Sequence, residues 1–132
     1  MNKDTILITI LGVLVYSMIG PVNATKMNSK ISSFLSTIPK RCNIIITSTK
    51  RSKEHNEKVG GAEKSLHITN KAADIVVSKE CERIILNNAV QSGVTVIKYP
   101  NGKHLHLDVR DEAVCMVKIK SGYRFCEEGD LE

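Results

Sequence analysis

Residues 103–109 read Lys-His-Leu-His-Leu-Asp-Val, and from His104 onwards polar and apolar side chains alternate strictly. Successive side chains of a strand point to opposite faces of its sheet, so this period of two predicts a half-buried β-strand. The apolar face, which packs inward, consists of Leu105, Leu107 and Val109. The polar face consists of His104, His106 and Asp108. Because the chain has only four histidines, this concentration of metal-binding groups indicates a cleft or a metal site.

Residues 65–74 read Ser-Leu-His-Ile-Thr-Asn-Lys-Ala-Ala-Asp and add a second imidazole and carboxylate. A turn between His67 and Asp74 brings both groups to one point, and Asn70 suits a turn because Asn readily adopts positive φ. His67, Asp74 and one histidine of the 104–106 pair form a two-histidine, one-carboxylate set. Such a set leaves one position of tetrahedral zinc open, which is the arrangement of catalytic zinc.

Apolar spacing and turn residues predict the remaining elements. One helix covers residues 27–38 and ends at Pro39, and a second begins after Ser78 as its N-cap and ends near Gly93. Strands are predicted at residues 43–47, 72–77, 94–99, 103–109, 114–119 and 123–126. Residues 48–70 are polar and predict a long loop. This order predicts an α+β domain with a small, mostly antiparallel sheet and two main helices.

The first 24 residues have the pattern of a signal peptide. An apolar run is followed by Pro21 and by Val22-Asn23-Ala24, so we expect cleavage after Ala24 and a single domain at residues 25–132. The alternative is an uncleaved signal anchor, and both possibilities export the domain.

Because the domain is expected to be exported, we predict that its four cysteines form disulfides, as an even number of cysteines in a small secreted domain usually does. No C-x-x-C spacing is present, which argues against a cysteine zinc cluster. Three pairings are possible. Cys115 and Cys126 flank the turn-like Ser121-Gly122 and so suit two neighbouring strands, which leaves Cys42 for Cys81.

Composition excludes several classes of function. The 132-residue chain is too short for a multidomain enzyme, and 42% hydrophobic with 25% charged residues excludes global disorder. Aromatic residues make up only 4% and Trp is absent, which disfavours readers of carbohydrate or single-stranded nucleic acid. The formal charge of +5 favours anionic partners without choosing among them.

Residues 65–74 resemble the Ser-x-His-x-x-Gly-x-Ala-x-Asp motif of the zinc-dependent D-Ala-D-Ala carboxypeptidases, whose fold is shared by lysostaphin-type endopeptidases and the Hedgehog signalling domain. His104-Leu105-His106 resembles the His-x-His of that group, and residues 48–52 resemble its Ser-Gly-Tyr-Arg stretch. The resemblance covers roughly residues 43–109. Asn70 replaces the motif glycine, and Thr49 and Lys50 replace Gly and Tyr.

The resemblance implies specific roles for these residues. His67, Asp74 and His106 match the zinc ligands, and Ser65 supports the ligand loop. Arg51 matches the arginine that faces substrate and stabilises a developing negative charge or a terminal carboxylate.

The general base departs from the pattern of many relatives, which carry an acid shortly before the last zinc histidine. Residues 99–103 contain no acid here. His104 is the leading substitute because it is two residues from a ligand on the same face, and an imidazole is the side chain best suited to take or give a proton near neutral pH. Asp108 is expected to orient His104 or His106.

These features together predict an exported zinc metallopeptidase that cleaves peptidoglycan stem peptides, as a carboxypeptidase or an endopeptidase. The alternative is a catalytically silent zinc domain that binds peptide or cell-wall polymer. We expect a monomer that is secreted or periplasmic, with membrane contact only through an uncleaved leader. Nucleic acid is not an expected partner, because only net charge and the basic run at residues 50–53 favour it.

Overall fold

The computed structural model describes residues 27–100 and 104–132, in which four α-helices accompany one six-stranded sheet. The strands are β1 (Ile45–Ser48), β2 (Ala72–Val76), β3 (Thr95–Tyr99), β4 (His104–Asp108), β5 (Cys115–Ile119) and β6 (Gly122–Phe125). The helices are α1 (Ser29–Ser36), α2 (Lys53–Lys58), α3 (Lys79–Asn88) and α4 (Glu128–Leu131). Short 3-10 turns cover Lys40–Cys42 and Val90–Ser92.

The strand order of the sheet is β1-β2-β4-β3-β5-β6. All neighbouring strands are antiparallel except β3 and β5, which are parallel. The predicted α+β class is confirmed, but the sheet is mixed. The hairpin of β3 and β4 leaves the other edge of β3 open, and the chain crosses back after β4 so that β5 runs in the direction of β3.

The alternation predicted for β4 is confirmed. Leu105 and Leu107 are buried on the core face, whereas His104 and His106 are partly exposed on the other. The core lies between the sheet and helices α1 and α3, and its larger members are Ile31, Phe34, Ile38, Ile75, Ile85, Leu86, Val94, Val96, Leu105 and Leu107. The opposite face of the sheet therefore carries the polar residues.

The two main helices begin at side-chain caps. Asn28 accepts hydrogen bonds from the backbone of Lys30 and Ile31 at the start of α1. Ser78 accepts one from Cys81 N at the start of α3, as predicted, and Gly93 ends the following 3-10 turn with φ +73°. The short helices α2 and α4 were not predicted.

The predicted loop at residues 48–70 contains helix α2, so the expectation of a wholly irregular segment is wrong. Ser52 caps this helix by accepting from His55 N. Within the helix, the buried Asn56 donates from Nδ2 to Ala62 O at 2.8 Å, a contact with the loop that follows. A Cβ at Gly61 would lie 2.1 Å from Asn56 Oδ1, so any larger residue there would displace the Asn56 side chain.

Both predicted disulfides are present. Cys42–Cys81 joins the first 3-10 turn to α3, and Cys115–Cys126 joins β5 to the end of β6.

The predicted leader at residues 1–24 lies outside the described residues. Among the residues that the structure describes, no helix is long and apolar enough to cross a membrane.

Candidate metal centre

Three chain segments bring His67, Asp74 and His106 together on the polar face of the sheet. Asp74 on β2 lies directly opposite His106 on the adjacent β4, and His67 enters from the loop before β2. One potential ligand atom from each residue lies within 4.8 Å of the others. The two imidazole rings meet edge to face, with centroids 5.1 Å apart. The sequence-predicted trio is therefore assembled in space.

His67 is held by the turn that the sequence predicted. Its backbone N–H donates to Ser65 Oγ at 3.3 Å, and its carbonyl accepts from Arg51 N at 3.0 Å. Asn70 has a φ of +58°, as expected for a residue in place of the motif glycine. These contacts place the buried His67 ring with Nε2 3.3 Å from Asp74 Oδ2.

The other nitrogen of His67 fixes its tautomer. Nδ1 lies 2.6 Å from the carbonyl oxygen of Thr49, which can only accept, so Nδ1 carries the proton. Nε2 is then the nitrogen that faces Asp74 and that would ligate a metal ion bound between the two residues. A metal-ligating histidine typically donates its second N–H in this way.

His106 has the same arrangement with its nitrogens exchanged. Nδ1 lies 3.0 Å from Asp74 Oδ1, and Nε2 donates to Asp108 Oδ2 at 3.0 Å. Asp108 is fully buried and is also held by Arg110, which donates from Nε to Oδ1 at 2.7 Å and from Nη2 to Oδ2. Asp108 was expected to orient either His104 or His106, and the histidine that it hydrogen-bonds is His106.

Asp74 is kept ionised by its surroundings. Burial alone would raise its pKa, but the hydrogen bonds with His106 and His67 and their charges outweigh burial and hold the pKa far below its usual range. Arg51 adds an ion pair, with Nη2 2.9 Å from Asp74 Oδ2. Burial likewise opposes the charged form of His106, but the hydrogen bonds to Asp108 and Asp74 raise its pKa.

The donor set fits a zinc ion. Two imidazole nitrogens and a carboxylate are ligands that zinc prefers, and three protein ligands leave a fourth position open. His67 Nε2, His106 Nδ1 and an ionised Asp74 converge, and both histidines have acceptors behind them. These three residues could hold a metal, as the sequence predicted.

The remaining predicted residues surround this group. Arg51 lies beside it, with Nε also donating to Ser48 Oγ at 3.1 Å. His104 is not part of the converging trio, because its ring stacks on Tyr99 with centroids 4.6 Å apart. Its role as a base stays a prediction.

Three groups that contribute to the site were not predicted from the sequence. Arg110 continues the polar period of two beyond Asp108, so the alternation itself could have revealed it. Tyr99 faces His104 across β3 and β4, a pairing that requires the register. The Thr49 carbonyl is a backbone group, which no side-chain pattern reports.

The structure describes an α+β domain whose two-histidine, one-carboxylate group suits zinc, as the metal sites of zinc metallopeptidases do. The model of the Peptidase M15 family matches residues 20–108, and the chain belongs to this family. M15 peptidases are zinc-dependent, and the matched segment contains His67, Asp74 and His106. No significant match is found among curated proteins or among solved structures.

Proposed function

We propose that this protein is an exported zinc metallopeptidase that hydrolyses peptide bonds in peptidoglycan stem peptides, as a D-Ala-D-Ala carboxypeptidase-like enzyme or an endopeptidase. The observation that carries the proposal is the convergence of His67, Asp74 and His106 within 4.8 Å in a Peptidase M15 domain. The residues 65–74 motif and its likeness to the D-Ala-D-Ala carboxypeptidases support the choice of substrate.

His67 Nε2, His106 Nδ1 and the Asp74 carboxylate are the proposed zinc ligands. A zinc ion, when bound, supplies a Lewis acid that polarises the scissile carbonyl and acidifies the attacking water. With zinc bound, Asp108 would hold a proton on His106 Nε2 and the Thr49 carbonyl would hold one on His67 Nδ1, which would leave His106 Nδ1 and His67 Nε2 as the ligand nitrogens.

Arg51 is proposed to bind the negative charge of the substrate. Its contacts to Asp74 and Ser48 use Nη2 and Nε, whereas a guanidinium has five N–H donors. The side chain therefore stays anchored while it donates to an oxyanion or to a terminal carboxylate.

His104 is the proposed general base. It lies on the same face as His106, and an imidazole exchanges a proton near neutral pH. Stacking on Tyr99 restrains its ring at the edge of the site. The +5 charge of the chain suits an anionic cell wall.

A catalytically silent zinc domain that binds peptide or wall polymer is the second candidate, and one observation favours it. Both carboxylates of the site are already engaged. Asp74 contacts both histidines and Arg51. Asp108 contacts His106 and Arg110. Neither carboxylate is therefore placed to act as a general base, the role that a Glu or Asp has in many relatives.

Mass spectrometry of purified muropeptides incubated with the full-length protein separates the two candidates. The enzyme releases a terminal alanine or cuts the stem, and a zinc chelator or the His106→Ala substitution abolishes the product. His104→Ala, which leaves the zinc ligands in place, lowers turnover steeply while zinc stoichiometry is retained. A folded, zinc-loaded protein that yields no product contradicts the enzyme proposal and supports the silent domain.

A further inference from the structure

The polar face of the sheet does not end at the metal centre. Residues paired directly across neighbouring strands share a face, and the pairing continues from His106 on β4 to Ile97, Met116 and Phe125 on β3, β5 and β6. One row of side chains therefore leads from the candidate zinc ligands to the outer strand β6.

A second row runs beside the first. His104 pairs with Tyr99 in register and stacks on its ring, and the Tyr99 hydroxyl lies 3.3 Å from that of Tyr123. Lys118 pairs with Tyr123 and places Nζ 4.5 Å from the centre of its ring. These contacts join the proposed base to an aromatic and cationic surface on the β5–β6 hairpin.

This surface faces outward. Tyr123 and Phe125 are 51% and 69% exposed, whereas Arg124, between them, turns to the other face and pairs with Asp130 of α4. The described chain has four aromatic residues, and three of them, Tyr99, Tyr123 and Phe125, lie here rather than in the core. Large exposed aromatics in so aromatic-poor a chain indicate a binding surface.

The hairpin is also held in place. Cys126 is disulfide-bonded to Cys115 and donates its backbone N–H to Cys115 O at 3.0 Å. The surface is therefore fixed relative to β3 before any ligand arrives, which reduces the entropy cost of binding. The hairpin follows the segment that matches the family, which ends at residue 108.

We propose that Tyr99, Lys118, Tyr123 and Phe125, here called the aromatic platform, bind the part of an acidic peptide substrate that extends away from the scissile bond. The proposal rests on the proposed peptidase function and adds the direction in which the substrate lies. Lys118 binds a carboxylate of the peptide, and the two exposed rings pack against its side chains and backbone.

The dimensions and chemistry favour a short peptide. Three strand spacings separate β4 from β6, or about 14 Å, which about four residues of extended peptide span. The partly exposed, apolar Met116 between the metal centre and Phe125 suits an alkyl side chain better than a hydroxyl-rich sugar, and Ile97 is buried beside it. The cationic Lys118 suits a free carboxylate.

The test uses the full-length protein and a synthetic stem pentapeptide with a free side-chain carboxylate, beside the same peptide with that group amidated. Cleavage gives KM and kcat, and calorimetry with the chelator-treated protein gives Kd without turnover. The variants are Tyr123→Ala/Phe125→Ala and Lys118→Met. Val90→Ala, an exposed apolar residue of the second 3-10 turn, is the matched control.

We expect the double variant to raise KM and Kd about tenfold with little change in kcat, which corresponds to about 1.4 kcal/mol. Lys118→Met removes the preference for the free carboxylate, and Val90→Ala binds as the wild type does. Unchanged binding by a double variant with wild-type Tm overturns the proposal.

Calorimetry also separates this proposal from the peptidase proposal. If the wild type binds the peptide without cleaving it and the double variant loses that binding, the platform stands and the catalytic function fails. Wild-type protein that binds neither form of the peptide overturns the platform as a peptide site.

Discussion

Asp108→Asn tests whether the buried carboxylate behind His106 tunes a metal ligand. Asp108 is fully buried and accepts from His106 Nε2 at 3.0 Å while Arg110 holds both of its oxygens. The amide keeps the shape of the side chain and can still accept from His106, but it loses the negative charge that makes His106 a stronger donor to zinc.

Loss of such a partner behind a metal ligand typically weakens metal affinity by about 10- to 100-fold, or about 1.4–2.8 kcal/mol. We therefore expect the zinc Kd of the full-length variant, measured by competition with a chromogenic chelator, to rise within that range. A structural role alone would instead lower the Tm of the metal-free protein and leave zinc affinity unchanged.

Asp111→Asn is the matched control, because it removes the same charge from an exposed position three residues before Val114. Its zinc Kd should equal that of the wild type. An Asp108→Asn protein that binds zinc as tightly as Asp111→Asn would refute the reasoning that Asp108 acts through His106.

Two further predictions concern stability. Gly61→Ala should lower the free energy of unfolding by about 1–3 kcal/mol in urea titrations, because its Cβ would lie 2.1 Å from Asn56 Oδ1. The control is Gly129→Ala in α4, whose Cβ meets nothing within 4 Å and which should be neutral or stabilising. Equal urea midpoints for the two variants would contradict this prediction. Hydrogen bonds from Arg124 and from Glu127 N lower the pKa of Asp130 from 3.8 to about 2, so its contribution is present above pH 3.8 and is lost as the pH falls towards 2. Asp130→Asn should therefore lose less stability than the wild type between pH 5 and pH 2 in urea titrations, and parallel losses would count against the ion pair.

Local sequence patterns were sufficient to predict many structural features of this protein. The alternation at residues 103–109 predicted both faces of β4, and the positive φ of Asn70 followed from the conformational freedom of that residue type. The disulfide pairing followed from the turn at Gly122. Each of these inferences depends on residues close in sequence, where sterics and side-chain period act directly.

The features that could not be predicted from the sequence depend mostly on contacts between distant parts of the chain. Helix α2, Lys-Glu-His-Asn-Glu-Lys, has no apolar stripe to reveal it, and only the cap at Ser52 marks its start. The parallel pairing of β3 with β5 depends on how the chain returns after β4. The tautomers of His67 and His106 depend on Thr49 and Asp108, one of them distant in sequence and acting through its backbone.

The register of β4 links the stability of this fold to its site. The strand lies between β2 and β3, so its pairing is fixed on both edges. A slip of one residue would move His106 into the apolar core and bring Leu105 or Leu107 to the metal centre. Burying an imidazole without Asp74 and Asp108 would be costly, and exposing two leucines would forfeit core packing. The hydrophobic energy that holds Leu105 and Leu107 inward thus also holds His106 against Asp74. The same pairing, continued through β3 to β5 and β6, aligns the aromatic platform with the metal centre.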